Sequence, residues 1–184
     1  MAKLVDKTYG DALFELAVEN GQTDAYFSEC QGILQIIEEN QELVKLLTHP
    51  KISKDEKLTV IENVFKGRVS DDITGFLVLI VKKDRQAELT DILSYFIDRV
   101  KEYKKIGVAY VTTAVTLSDT EKKSVVDKLT ATTNYDSFEM NYSVDKDIIG
   151  GMIIRIGDRV VDSSIKSKIE SMAKELYEVR LTSM

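Results

Sequence analysis

Residues 147–165 read DIIGGMIIRIGDRVVDSSI, and this stretch decides the fold of the second half of the chain. Two β-branched segments, 153–156 and 159–161, flank Gly157-Asp158, and glycine at the first central position is what a type II′ hairpin turn requires. Asp162 follows at a position typical of a helix N-cap. After it come apolar residues at helical spacing, namely Ile165, Ile169, Met172, Ala173 and Leu176. The stretch therefore predicts a strand, a tight turn, a second strand and a helix.

The sequence before this stretch completes a small mixed domain. Residues 108–116 are rich in β-branched side chains and predict a strand. Ser118 and Glu121 form a capping box that predicts a helix to about residue 131. Residues 138–144 alternate between apolar and polar, as in a half-buried strand. Together with the hairpin and the last helix, these segments predict a β-α-β-β-β-α domain at residues 106–184.

Residues 1–105 read as helices throughout. Helical periodicity or cap signals predict six of them, at about 4–20, 23–39, 41–47 and 54–66, from the Ser70 cap through the apolar run that ends at 81, and at 88–105. Pro50 ends the third helix, the pair Ser53 and Glu56 opens the fourth, and Ser70 caps the fifth. Short connections between six helices predict a compact bundle. The fold class is therefore α+β, with a six-helix bundle at 1–105 followed by the small domain.

Composition excludes several classes of protein. The chain has 31 acidic and 25 basic residues and a net charge of −6. Without a basic cluster, nucleic acid is not expected as the main partner. Cys30 is the only cysteine, which indicates a reducing compartment. The start has neither a signal-type apolar region nor an Arg-rich transit character, and the longest apolar run, 76–81, is too short to span a bilayer. We expect a soluble protein that reaches a membrane only through a partner.

No catalytic constellation stands out. His49 is the only histidine and precedes a proline, which favours a turn role, and Cys30 reads as a small buried side chain. Gly150-Gly151 is not followed by a helix, so it is not a dinucleotide fingerprint. The acidic cluster Asp145, Asp147, Asp158 and Asp162 could ligate a divalent cation, although turn and cap roles explain it more simply. We therefore expect no enzyme activity, no cofactor and no metal site. The open alternative is a cytosolic metal-binding or enzymatic domain that uses the cluster between Asp145 and Asp162.

The fifth predicted helix leaves a second alternative open. Residues 76–81 are all apolar, and they cannot all face the core of a small bundle. Either this helix is central, or one of its sides lines an exposed groove able to receive another helix. The first helix raises the same question, because one side carries an apolar stripe on which Ala12 would let another helix approach closely.

The stretch at 147–165 resembles the C-terminal signature of the F-type ATP synthase delta subunit family, whose mitochondrial counterpart is the oligomycin-sensitivity-conferring protein. The matching positions include Gly150, Gly151, Gly157, Asp158, Asp162 and Ser164. Residues 9–17 resemble the family's opening motif, with Gly10 in place of the usual Ala. Residues 76–85 resemble its apolar block that ends in Asn-x-Arg, with Lys83 where Asn is common. The likeness spans nearly the whole chain in the right order.

This resemblance implies a function. In the family, the N-terminal six-helix domain binds the N-terminal helix of one alpha subunit in a groove between helices 1 and 5. Carried onto this chain, the groove would use Tyr9, Ala12, Leu13, Phe76, Leu79 and Ile80. The C-terminal domain would meet the b subunits of the peripheral stalk, with candidate contacts at Leu176, Val179 and Leu181. The protein would be a non-catalytic stator part, peripheral to a bacterial membrane on its cytoplasmic face.

Overall fold

The structure is a computed structural model that describes the backbone of residues 2–182 and the side chains of residues 4–174. Its contacts divide the chain into two units, residues 1–103 and 104–184. Among the described residues, the first unit contains helices and no strand, and the second contains a four-stranded sheet, so the predicted mixed class of helix and sheet is confirmed. Within the described residues, no helix is both long and apolar enough to cross a bilayer.

Six α-helices form the first unit. They are α1 (Ala2–Glu19), α2 (Thr23–Glu39), α3 (Gln41–Thr48), α4 (Lys54–Phe65), α5 (Asp71–Lys82) and α6 (Leu89–Tyr103). A 3₁₀ turn at Gln86–Glu88, which the sequence pattern does not predict, leads into α6. Its presence makes α6 start one residue later than predicted, and α6 ends two residues earlier. Lys105 has a positive φ of 52°, so the chain leaves the helical conformation there.

The helix starts are set by the predicted caps. The Ser53 hydroxyl accepts a hydrogen bond from the Glu56 N–H, and the Glu56 carboxylate accepts one from the Ser53 N–H, which is a complete capping box. Ser70 caps α5 by accepting from the Ile73 N–H. The α5 start has no acidic residue at its N3 position, which is Ile73. Glu29 of α2 takes that role and accepts hydrogen bonds from the Ser70 N–H and hydroxyl at 3.0 and 2.7 Å. This contact ties α2 to the start of α5.

The core of the first unit is continuous. Its largest fully buried side chains include Tyr26, Phe65 and Phe96, and α6 packs against both α1 and α2. Cys30 lies within this core, and burial raises the pKa of its thiol to about 12. A thiol with so high a pKa is not a nucleophile at neutral pH, which agrees with the structural role expected of Cys30.

The second unit is built on a mixed sheet. Its elements are β1 (Ile106–Thr113), α7 (Asp119–Thr132), β2 (Ser137–Val144), β3 (Met152–Ile156), β4 (Arg159–Asp162) and α8 (Ile165–Thr182). The strand order is β2-β1-β3-β4, in which β1 and β2 are parallel and the other neighbours antiparallel. Helix α7 is the crossover between the parallel strands. Its buried side chains, Val125 and Leu129, pack against Ala109 and Val111 of β1.

The deciding stretch folds as its pattern predicts, with one correction. Ile156 pairs with Arg159 across a two-residue turn, and Gly157 has the positive φ (55°) that a type II′ turn requires at its first central position. Asp162, however, is the last residue of β4 and not the N-cap of α8. Ser164 holds that position, because its hydroxyl accepts from the Ser167 N–H three residues later. Asp162 supports the cap by accepting from the Ser164 N–H at 2.8 Å.

The two glycines ahead of β3 have different structural reasons. Gly151 has a φ of 76°, and a Cβ there would overlap the backbone carbonyl of Ser163. A Cβ on Gly150 would approach only the end of the Ile165 side chain, at 2.7 Å. The Gly150 carbonyl accepts a hydrogen bond from the Ile165 N–H at 2.9 Å. Only Gly151 therefore meets both the conformational and the close-approach requirement for glycine.

Candidate functional site

An apolar groove runs along the surface of the first unit between α1 and α5. Its volume is about 520 Å³, and its lining consists of Thr8, Tyr9, Ala12, Leu13, Leu16, Asp72, Gly75, Phe76 and Leu79. Leu13 and Phe76 are buried and form the floor, whereas Leu79 is 41% exposed on one wall. Among the lining residues that the structure describes, Asp72 alone is charged.

Helix packing explains why the groove is open. Helix α1 packs closely on α6, and α5 packs closely on α4, so the facing sides of α1 and α5 are left without a close partner. On α5 the lining residues follow the spacing i, i+3, i+4, i+7 from Asp72, which places them on one face. Ala12 and Gly75 are small, and a Cβ on Gly75 would meet no atom within 4 Å. The groove is therefore wide enough at its middle for a backbone to approach closely.

The structure brings together five of the six residues predicted for the groove, namely Tyr9, Ala12, Leu13, Phe76 and Leu79. Ile80 does not line the groove, because it has no exposed surface and belongs to the core. The physical reason is its angle on α5: Ile80 lies seven residues after Ile73 and shares the core-facing side with it. The sequence leaves open whether α5 is a central helix or the wall of a groove. In the structure it is both, because one side packs in the core and the other lines the groove.

Sequence reasoning missed four lining residues, Thr8, Leu16, Asp72 and Gly75. Leu16 lies on the apolar stripe of the first helix and could have been included from its spacing alone. Gly75 and Thr8 give no sequence signal, because small and polar residues do not contribute to an apolar stripe. Asp72 reads from sequence as an ordinary acidic residue in the first turn of a helix.

Asp72 is held in place by a hydrogen-bond network at one end of the groove. Its Oδ2 atom accepts from the Tyr26 hydroxyl and, at 3.2 Å, from the Asn20 side-chain amide. Burial, followed by the hydrogen bond to Asp72, raises the pKa of the Tyr26 hydroxyl, so this group stays a neutral donor at physiological pH. The network joins the end of α1 to the start of α5 and fixes the separation of the groove walls there.

The second unit has two features at its surface. A cavity of about 260 Å³ lies between α7 and β3, with Leu117, Val125, Leu129, Met152 and Ile154 among its lining residues. Helix α8 exposes an apolar stripe made of Ile165, Ile169 and Met172. The predicted contacts Leu176, Val179 and Leu181 fall beyond the side chains that the structure describes.

The acidic cluster between Asp145 and Asp162 serves turns and caps. Asp145 Oδ1 accepts a hydrogen bond from the Asp147 N–H at 2.9 Å. The Asp162 carboxylate accepts hydrogen bonds from the Ser164 N–H and the Ser167 hydroxyl. The hydrogen bond from the Ser167 hydroxyl, and then that from the Ser164 N–H, lowers the pKa of Asp162. Across the described part of the chain, no group of three or more His, Cys, Asp and Glu residues is placed to hold a metal ion. These contacts give no support to a metal-binding or enzymatic function.

Comparisons with known proteins agree with one another. The family described as ATP synthase delta (OSCP) subunit matches residues 5–176. The chain is similar to ATP synthase subunit delta of Lachnoclostridium phytofermentans, with 58% identity over 98% of this chain and 100% of the relative. It is also similar to ATP synthase subunit delta of Brevibacillus brevis, with 35% identity over 95% of this chain and 99% of the relative.

A solved structure shares the fold. It is a chain of the Toxoplasma gondii mitochondrial ATP synthase hexamer, determined by cryo-electron microscopy, with a TM-score of 0.73 at 15% identity. The match covers 94% of this chain and 97% of the other. At this low identity the likeness concerns the fold alone.

Proposed function

The chain belongs to the ATP synthase delta (OSCP) subunit family, and we propose that it works as a two-ended connector in which the groove between α1 and α5 holds the N-terminal helix of one alpha subunit. Family membership makes it a non-catalytic stator subunit of an F-type ATP synthase. The bundle of six helices is the domain that binds the catalytic head, and the small β-α-β-β-β-α domain is the one that binds the stalk.

The apolar groove is the observation that carries this proposal. An α-helix with its side chains is about 10–12 Å across, and an amphipathic helix binds by burying an apolar face in a groove of this kind. Leu13 and Phe76 supply the apolar floor, Leu79 and Tyr9 supply walls, and Ala12 and Gly75 leave room for the partner's backbone. An exposed apolar surface of this kind on a water-facing bundle marks an interaction site.

The mechanism is mechanical. Torque from the rotor drives ATP synthesis only if the catalytic head is kept from turning with it. The chain contributes by binding the head at one end and the b subunits of the peripheral stalk at the other. Slow dissociation at both ends matters more than fast binding, because every release lets the head turn without useful work. No residue of the chain needs to touch a nucleotide for this function.

The second unit is proposed to meet the C-terminal ends of the b subunits through α8. Ile165, Ile169 and Met172 support this assignment, because they expose an apolar stripe at the spacing i, i+4, i+7 on a helix that has free surface. Leu176, Val179 and Leu181 would continue the contact. The complex would hold the protein peripherally at the cytoplasmic face of a bacterial membrane, through its partners and without lipid contacts of its own.

The proposal is tested by titrating the full-length, ¹⁵N-labelled chain with a peptide of the alpha subunit's N-terminal helix. The chain has no tryptophan, so amide NMR is a more direct readout than intrinsic fluorescence. We expect saturable shifts for residues of α1 and α5 and none for the sheet of the second unit. No shifts at high micromolar peptide, or shifts centred on another surface, would contradict the groove assignment.

A further inference from the structure

Ile149, just before β3, has a backbone conformation that is rare for a β-branched residue. Its φ is 67° and its ψ is −40°, and the Gly150 N–H donates to the Ile148 carbonyl at 2.8 Å across it. This hydrogen bond, with a positive φ at the residue between, defines a strained kind of γ-turn. In the part of the chain that the structure describes, the other non-glycine residues with a positive φ are Asp84 and Lys105, and neither is β-branched. Ile149 is therefore an outlier of the backbone.

The fold fixes the backbone on both sides of Ile149 and exposes the side chain between them. Before it, Ile148 is buried and ends a 3₁₀ turn at Lys146–Ile148. After it, the Gly150 carbonyl accepts a hydrogen bond from the Ile165 N–H at 2.9 Å, which ties the γ-turn to the start of α8. The Ile149 residue itself is 61% exposed. A glycine would relieve the strain and remove the exposed apolar surface, so neither burial nor backbone conformation explains an isoleucine here.

The position of Ile149 continues the exposed apolar stripe of α8 beyond the start of that helix. A Cβ on Gly150 would lie 2.7 Å from Ile165 Cδ1, so the γ-turn is an immediate neighbour of the first residue of the stripe. From Ile165 to Met172 the stripe is about 10 Å long, at 1.5 Å per residue. A partner helix that lies along α8 and continues past its start would reach Ile149.

Resting on the proposed function, we propose that Ile149 is a binding residue for the b subunits of the stalk and contacts them at the start of α8. The b subunits are the occupant because Ile149 is continuous with the stripe assigned to them. Strained residues persist at binding sites, where the function offsets their cost. The γ-turn is present in the free chain, so Ile149 is already exposed for the contact and needs no rearrangement on binding.

Amide NMR of the full-length, ¹⁵N-labelled chain tests where the stalk binds. A peptide of the C-terminal end of the b subunit is added, and we expect saturable shifts at residues 147–151 and 165–174. Shifts at 165–174 without shifts at 147–151 would overturn the role of Ile149 while leaving the stalk assignment intact. Absence of binding, or shifts centred on another surface, would overturn both. Shifts at 147–151 that depend only on the concentration of the chain would assign the patch to a second copy and overturn the inference.

A matched pair of glycine substitutions separates binding from strain. Ile149→Gly and Lys105→Gly each remove an exposed side chain at a positive φ, but only Ile149 is apolar. Both variants should unfold at a urea concentration at least as high as the wild type, because strain relief offsets the greater freedom of glycine in the unfolded chain. Ile149→Gly should weaken binding of the b-subunit peptide about tenfold, because an apolar contact is lost, whereas Lys105→Gly should keep the wild-type Kd.

A conservative substitution completes the test. Ile149→Leu keeps an apolar side chain, so its Kd should stay within about threefold of the wild type. Unchanged binding by Ile149→Gly would overturn the inference, as would equal losses in Ile149→Gly and Lys105→Gly. A lower urea midpoint for Ile149→Gly would also overturn it, because the Ile149 side chain would then serve the fold.

Discussion

Gly10 and the ring of Tyr95 are packed so closely that a Cβ on Gly10 would overlap Tyr95 Cδ1. The sequence alone suggests that Gly10 only weakens α1, by about 1 kcal/mol relative to the alanine usual in the family. In the structure, the glycine makes room for a tyrosine on α6 whose hydroxyl donates to Asp11 at 3.1 Å. The departure from the family motif is therefore a packing feature that joins α1 to α6.

Gly10→Ala should destabilise the protein in spite of its better helix propensity. Overpacking costs about 1–3 kcal/mol, which exceeds the gain of about 1 kcal/mol from propensity, so we expect a net loss of about 1 kcal/mol in the free energy of unfolding. Gly32→Ala is the matched control, because Gly32 lies within α2 and its Cβ would meet no atom within 4 Å. Gly32→Ala should stabilise the protein by up to about 1 kcal/mol. Urea unfolding measures both variants, and equal stabilisation would refute the role given to Tyr95.

Gly150 and Gly151 provide a second matched pair of substitutions. Gly151→Ala combines a positive φ with a backbone overlap at Ser163, so it should cost about 3 kcal/mol of stability or prevent the second unit from folding. Gly150→Ala presses only on the flexible end of Ile165 and should cost less than about 1.5 kcal/mol. The free energy of unfolding, followed through NMR signals of the sheet, separates the two. Similar losses for both variants would contradict this distinction.

Leu79→Asp tests the groove at its most exposed apolar wall. The carboxylate replaces an apolar contact, so binding of the alpha-subunit peptide should be lost, while far-UV circular dichroism stays near native. Val18→Asp is the control: Val18 is 40% exposed, against 41% for Leu79, and it lies on a side of α1 away from the groove lining. It should keep wild-type affinity. Unfolding of Leu79→Asp would assign Leu79 to the core, and equal loss of binding in both variants would mean that the effect is not local.

At the scale of elements, helix starts were the most predictable feature of the chain. Both capping boxes and the Ser70 cap form as their spacing predicts, because a cap depends on residues within one turn of each other. For α8 the sequence predicts Asp162 as the cap, whereas the structure has Ser164 there. Aspartate and serine are both good N-caps, and only the end of β4 decides between them. The 3₁₀ turn at 86–88 has no comparable local signal, because Arg85 at its cap position makes no side-chain cap hydrogen bond.

The capping boxes predict an acid sensitivity. The hydrogen bonds from Ser53 and Ser118 lower the pKa of Glu56 and of Glu121 from the ordinary value of 4.5. A carboxylate whose pKa is lowered by folding stabilises the protein above its unfolded pKa, and this contribution is lost as the pH falls through the folded pKa. Stability should therefore fall as the pH drops below about 4.5, and Glu121→Gln should reduce the slope in that range. In a Ser118→Ala background the same substitution should change the slope less, because only the backbone N–H of residue 118 still donates to the Glu121 carboxylate there. Urea unfolding at several pH values would test this.

At the scale of the whole molecule, the sequence predicts the elements better than the groove. An apolar run such as 76–81 can be core, groove or both, and only packing against other helices assigns each side. The family resemblance implies Ile80 in the groove, but it does not show how α5 is rotated, and Ile80 lies in the core. Gly75 has no side chain and so gives no apolar signal in the sequence. The family resemblance points to the first and fifth helices as the walls of the groove, and the structure shows which side of α1 and of α5 faces it.

Gly75→Leu would fill the groove without disturbing the bundle and tests the molecule in its complex. A Cβ at Gly75 meets no atom within 4 Å, and leucine is the better helix former, so the fold should be kept while the partner helix loses its closest approach. We expect the affinity for the alpha-subunit peptide to fall about tenfold or more.

The same variant can be tested in membranes that carry the complete ATP synthase. There, ATP hydrolysis should persist while ATP-driven proton pumping falls, because an untethered head turns with the rotor. Gly32→Leu, equally open and outside the groove, should keep normal pumping. Normal pumping by Gly75→Leu would show that the head is held elsewhere.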